Sequence, residues 1–276
     1  MKEYFGIIFS NFISLRYTLR NIKKHMTIEH ISLIAFLFFI IAILYSTVGH
    51  AGASGYLAIM GILSFAPDSI KPISLVLNIV VASIASYKFI KADYFNLKIF
   101  LYFICTSIPF AFLGGYISIS PKYFKLVAGL FLVASAILLI LKTLIKPKEI
   151  EPKPIPLIYG LSIGSLVGLF SGLIGVGGGI FLSPILIMAN WTTVKKASGI
   201  AALFILCNSI SGLLGHIIAF NNIDSNIIYW IIAVALGGFI GSYLGTKKFN
   251  SKIILGFLFS VLLTAGLKFI FIDFLK

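Results

Sequence analysis

The sequence predicts an all-α, polytopic integral membrane protein made of two homologous halves. Three observations predict this: an apolar composition, a succession of ten apolar segments, and a motif pattern that occurs twice. Of the 276 residues, 59% are apolar and only 11% are charged, and the mean hydropathy is +1.08. A soluble domain is about 25% charged, so most of these side chains must face lipid or one another. One crossing helix takes about 20 apolar residues, and crossings plus short connections use up the length. No soluble catalytic domain fits.

Lys and Arg outnumber Asp and Glu by 22 to 8, a net charge of +14. Such a surplus commonly marks a nucleic-acid binder. Here the basic residues stand singly or in small groups between apolar runs, as at Lys88/Lys91, Lys146/Lys148, Lys195/Lys196 and Lys247/Lys248. They are membrane-surface anchors, which makes the lipid bilayer the expected partner and excludes nucleic acid. Cys105 and Cys207 lie inside apolar stretches and belong to no CxxC or His-bearing spacing. Buried thiols are expected there, with no disulfide, metal or cofactor.

Along the chain, residues 1–27 read as a basic interfacial helix. Arg16, Arg20, Lys23 and Lys24 share a sector beside a strip of Ile8, Phe12, Leu15, Leu19 and Ile22, an arrangement that lies on a membrane rather than across it. The first repeat, 28–145, holds apolar segments near 31–48, 54–66, 72–90, 96–117 and 122–145. Residues 146–156 (KPKEIEPKPIP) hold four prolines among charges, which forbids a helix and marks a linker. The second repeat, 157–276, continues with segments near 155–173, 177–189, 197–220, 227–245 and 252–272. The second and seventh segments are too short to cross at 1.5 Å per residue and read as half-depth or re-entrant helices led by glycine.

The repeat is traceable residue by residue. Residues 49–55 (GHAGASG) open the short segment of the first half, and residues 175–179 (GVGGG) open that of the second. Lys71 follows Gly49 by 22 residues and Lys196 follows Gly175 by 21. Ser83 and Ser86 then align with Asn208 and Ser211, and Leu113-Gly-Gly aligns with Leu236-Gly-Gly. Duplicated halves with interrupted helices are a transporter signature. If the short segments are re-entrant, the Lys and Arg count places both termini in the cytoplasm; if they cross, the halves are inverted and the count is nearly even.

A glycine-rich break before a helix leaves unpaired N–H groups at its positive end, which together favour an anion. The expected site for one small anion is therefore made by Gly49, His50, Gly52, Ser54 and Gly55 from one loop and Gly175, Gly177, Gly178 and Gly179 from the other. Ser83 and Ser86, and Asn208 and Ser211, are spaced i, i+3 and share a helix face, so they are candidate neutral donors, with Asn78 a weaker one. Each choice has a plain structural alternative: glycines that let helices pack closely, and hydroxyls or amides that bond between helices. No carboxylate lies in the middle of a segment, so a carboxylate proton relay is not expected. A coupling proton would fall to His50, which as a structural residue would instead stay neutral and hydrogen-bonded.

Residues 168–186 (GLFSGLIGVGGGIFLSPIL) resemble the Gly-rich loop and Pro-bearing helix, here Pro184, of the TauE/SafE family of sulfite and organosulfonate transporters. The resemblance extends over about residues 31–272. The first copy departs from it, since GHAGASG interleaves His50, Ala51, Ala53 and Ser54 and has no proline matching Pro184. Membership implies a cell-membrane, multi-pass secondary transporter, associated with export of small sulfur-containing anions. Two other classes are an anion channel and an intramembrane serine protease, because Gly52-Ala-Ser-Gly55 matches the rhomboid GxSG. A nucleophile needs a base, and His216, the one distant candidate, lacks the small-residue setting of rhomboids. No catalytic residue is expected.

Overall fold

In lipid every backbone N–H and C=O must be satisfied within its own segment, so long apolar runs fold as helices. The computed structural model describes residues 28–144, 153–220, 227–246 and 251–274. The expected interfacial helix of 1–27 and most of the linker lie outside them. The first half comprises α1 (Ile28–Thr47), α2 (Ala53–Ile62), α3 (Pro67–Lys91), α4 (Leu97–Tyr116) and α5 (Pro121–Leu144). The second comprises α6 (Leu157–Ile174), α7 (Gly179–Met188), α8 (Val194–Phe220), α9 (Ile227–Thr246) and α10 (Ser251–Leu267), the last continuing as a π-helix over Lys268–Phe274. Among the described residues, seven helices are long and apolar enough to cross a membrane. The helices α2 and α7 have 10 residues each, about 15 Å of rise.

Two expectations need correcting. The third helix starts at Pro67 rather than near residue 72, because proline suits a first helical position, where an N–H has no partner. Lys71 therefore lies inside α3, only 6% exposed, and its ammonium donates to Gly114 O, Gly115 O and Ile117 O at the end of α4. Cys105 is exposed on α4 rather than buried. An apolar run does not distinguish a lipid-facing side from a core-facing one, and a thiol is tolerated on either.

Glycine decides how the halves meet. Gly160, Gly164, Gly168 and Gly172 recur every fourth residue along α6, and a methyl at any of them would overlap Tyr102, Phe103, Ser107 or Ala111 of α4. Gly237, Gly241 and Gly245 of α9 lie in the same way against Phe39, Ile43 and Thr47 of α1. Small residues at this spacing let backbones approach closely, which is how helices gain contact when the surrounding lipid is equally apolar. Each half thus lays its fourth helix on the first helix of the other. The aligned Gly-Gly pairs make equivalent contacts: Gly114 and Gly115 pack on α6 and α8, and Gly237 and Gly238 on α1 and α3.

Helix directions follow from these contacts. In the central pair α3 and α8, Leu75 lies beside Gly212 and Phe89 beside Gly199, so the two run antiparallel. The equivalent helices of the halves point in opposite directions, which makes this an inverted repeat. The ladder contacts set α1 parallel to α9, and α9 parallel to α3 through Val81 and Lys88. Hence α1 and α3 run the same way, and the chain between them must return across the bundle. A half-length helix with its glycine loop makes that return, which favours the inverted alternative over the purely re-entrant one.

Candidate functional site

Both glycine loops end near the middle of the α3/α8 pair. Gly52 and Gly178 are the residues before α2 and α7, with φ of 102° and 77°, a left-handed geometry that costs a side-chain-bearing residue about 1–2 kcal/mol. Three residues earlier in each loop, Gly49 and Gly175 adopt φ of 79° and 87°. Gly49 packs on Ser198 of α8 and Gly175 on Lys71 of α3. The residue equivalent to Lys71 is therefore Ser198, not Lys196, which is exposed. This shifts the expected alignment of the polar pairs by two residues and moves Asn208 and Ser211 away from Ser83 and Ser86.

Asn78 joins the loops. It is fully buried in α3, opposite the apolar Ile205 in the corrected alignment. Its Oδ1 accepts from the Ala53 N–H, the first of α2, at 3.0 Å. Its Nδ2 donates to Val176 O, in the other loop, at 3.2 Å and to Ser209 Oγ of α8 at 3.3 Å. A side chain on Gly177, at φ 74°, would place its Cβ 2.7 Å from that Nδ2. One amide on α3 thus bonds to both broken segments and to α8.

His50, 2% exposed, makes a second link between the halves. Its Nε2 lies 3.0 Å from Ser183 Oγ of α7, and the edge of its ring meets Tyr45 at a centroid distance of 6.5 Å. The Ser54 hydroxyl donates to Tyr45 OH at 2.9 Å, and Tyr56 OH donates to Ala51 O at 2.9 Å. Gly55 and Gly179 let α2 and α7 seat against Ile41 and Ile205, since a Cβ on either would come within 2.5 Å of those side chains. His50, Asn78 and the two glycine loops are brought together.

The remaining expected residues are placed elsewhere. Ser83 is exposed and its hydroxyl donates to Ile79 O of its own helix. Ser86 is buried, and its Oγ has no hydrogen-bond partner among the described residues. Asn208 faces α4, where its Oδ1 accepts from Ser107 Oγ at 2.8 Å while its Nδ2 has no partner among the described residues. Ser211 donates to Ile108 O, also on α4. Sequence reasoning passed over Ser183 and Ser209. The first adjoins Pro184 and the second follows Asn208, a one-residue step that turns a side chain by about 100° around a 3.6-residue helix.

A cavity of about 160 Å³ adjoins the second glycine loop through Lys71 and Leu173 and is lined also by Asp68, Ser118 and His216. The Lys71 ammonium donates to three backbone carbonyls of the α4 end, so it serves as a cap for that helix.

The family model of the sulfite exporter TauE/SafE type matches residues 34–269. "Probable membrane transporter protein y4hK" of Sinorhizobium fredii is 36% identical over 237 residues, covering 85% of this chain and 96% of that protein. "Probable membrane transporter protein MJ0441" of Methanocaldococcus jannaschii is 32% identical over 78% of this chain and 84% of its own length. "Probable membrane transporter protein YunE" of Bacillus subtilis is 27% identical over 69% and 75%. No solved structure matches at a significant level. With an inverted pair of five-helix halves meeting at two glycine-led helix starts, the chain belongs to the sulfite exporter TauE/SafE family and is a multi-pass membrane transporter.

Proposed function

We propose that this transporter exports small sulfur-containing anions, sulfite or organosulfonates, holding each between the starts of α2 and α7. The bond network of Asn78 carries this reading. Its amide oxygen accepts from the Ala53 N–H, the position where a helix start receives an anion. An arriving anion competes for that N–H, and displacing the amide strains its bonds to Val176 and Ser209, which tie the first half to the second. Substrate binding is thereby linked to relative movement of the halves. The site comprises Gly52–Gly55, Gly177–Gly179 and Asn78, with Ser209 and Ser183 added. Asn208 and Ser211 hold α8 against α4, and Ser83 and Ser86 stand outside the first contact with the anion.

Neutral donors suit release as well as capture. A charged Lys or Arg at mid-membrane costs about 2.5–3.5 kcal/mol to insert and would hold an anion tightly. We assign the coupling proton to His50, which touches Ser183 of the opposite half. A proteolytic role finds no support in the geometry: the Ser54 hydroxyl bonds to Tyr45, and His216 lines the cavity beside Lys71.

Counterflow in proteoliposomes tests the reading. Protein preloaded with unlabelled sulfite should accumulate labelled sulfite transiently, and sulfoacetate or taurine should compete if organosulfonates share the site. An anion channel gives equilibration without overshoot, and that outcome would replace the transporter mechanism. A His50→Gln variant should flatten the pH dependence of uptake; an unchanged profile removes the proton from His50.

A further inference from the structure

A groove separates α5, the last helix of the first half, from α6, the first helix of the second, and the side of α7 forms its floor. It encloses about 470 Å³, and every residue lining it is apolar. Leu130 (55% exposed), Leu166 (59%) and Phe170 (41%) form its lips, while Phe131 and Ile174 lie buried within. Phe181 of α7 closes the bottom, its ring centroid 4.1 Å from that of Phe131.

Depth identifies the occupant. Leu130 is the tenth residue of the 24-residue α5 and Leu166 the tenth of the 18-residue α6, so each lies about 14 Å from its helix start. The groove therefore opens at the middle of the bilayer and continues the lipid-facing surface that its exposed lips already form. Hydrocarbon tails are the medium at that depth, and an empty cleft of this size would forfeit the dispersion contacts of its walls. Water finds no polar group to bond there. The N-terminal segment 1–27 is a poor fit, because its Arg16, Arg20, Lys23 and Lys24 belong at the membrane surface.

We propose that this groove binds one acyl chain of a membrane phospholipid, which packs against Phe181 and Ile174 on either side of the Gly175–Gly179 break. The lipid tail then serves as the outer wall of α7. This proposal is independent of which anion is carried.

The test is photolabelling in proteoliposomes with phosphatidylcholine bearing a diazirine midway along one acyl chain. Peptide mapping should show adducts at Ile174 and Phe181 as well as at the plainly lipid-facing Leu113 and Ile240. Ala134→Trp, which fills the groove, should cut the Ile174 and Phe181 adducts at least fivefold and leave the other two unchanged. Should that variant fail to insert, Leu166→Trp at the lip decides by the same criterion. Labelling of Leu113 and Ile240 without Ile174 or Phe181 overturns the proposal, as does insensitivity of the inner adducts to the tryptophan. A benzophenone side chain at Leu130 that crosslinks to a second copy or to residues 1–27 overturns it too.

Discussion

Replacing Asn78 with leucine removes the polar link between the halves while keeping its branched shape. The equivalent position of the second half already holds Ile205, so an apolar side chain is compatible with the central helix pair. Three hydrogen bonds disappear: to the Ala53 N–H, Val176 O and Ser209 Oγ. Side-chain hydrogen bonds inside membrane bundles are worth about 0.6 kcal/mol on average and up to about 1.7, so the variant should lose about 2–5 kcal/mol. At about 2–4 °C per kcal/mol, its unfolding midpoint in detergent should fall by about 4–20 °C. Counterflow should fall at least tenfold in protein reconstituted below that midpoint. Asn78→Asp keeps an acceptor for the Ala53 N–H but places negative charge at the proposed anion site, so it should lose transport with a smaller thermal shift. An Asn78→Leu protein with wild-type midpoint and wild-type counterflow refutes the link.

Gly177→Ala adds a methyl at φ 74°, 2.7 Å from Asn78 Nδ2, and should reduce counterflow at least tenfold with the protein still in the membrane, as read by surface labelling. Ser83→Ala should leave both transport and unfolding midpoint unchanged, since its hydroxyl bonds only to Ile79 O on the exposed side of α3. Lys71→Met should destabilise the protein by removing the donor to Gly114, Gly115 and Ile117 carbonyls. Bonds from a charged group are worth about 1.5–3 kcal/mol each, so at about 2–4 °C per kcal/mol a fall in midpoint of about 10 °C or more is expected, with substrate affinity retained in the folded fraction.

Helix positions were legible because bilayer thickness and backbone satisfaction leave one solution for a long apolar run. Each of the ten segments matches a helix, and the two short ones match α2 and α7. Helix direction was less legible, since neither composition nor periodicity says whether a half-length helix returns or completes a passage. The glycines at every fourth residue of α6 and α9 carry that information, but only once their partners on α4 and α1 are known. In the site, the glycine breaks and Asn78 were visible as residues out of keeping with their surroundings. Aligning the halves on Lys71 and Lys196 misplaced the polar pairs, because one lysine caps the end of α4 and the other is an exposed anchor. Spacing of i, i+3 gave Asn208 and Ser211 a common face without saying that this face meets α4.

Two neutral, glycine-led helix starts are proposed to hold the anion. Crystals grown with selenite, a heavier analogue of sulfite, would locate it directly by anomalous scattering. The expected peak lies about 3 Å from backbone N–H groups at the start of α2 or α7 and beside the Asn78 amide. A peak in the cavity of Asp68, Lys71 and His216, with none at the glycine loops, would contradict that placement.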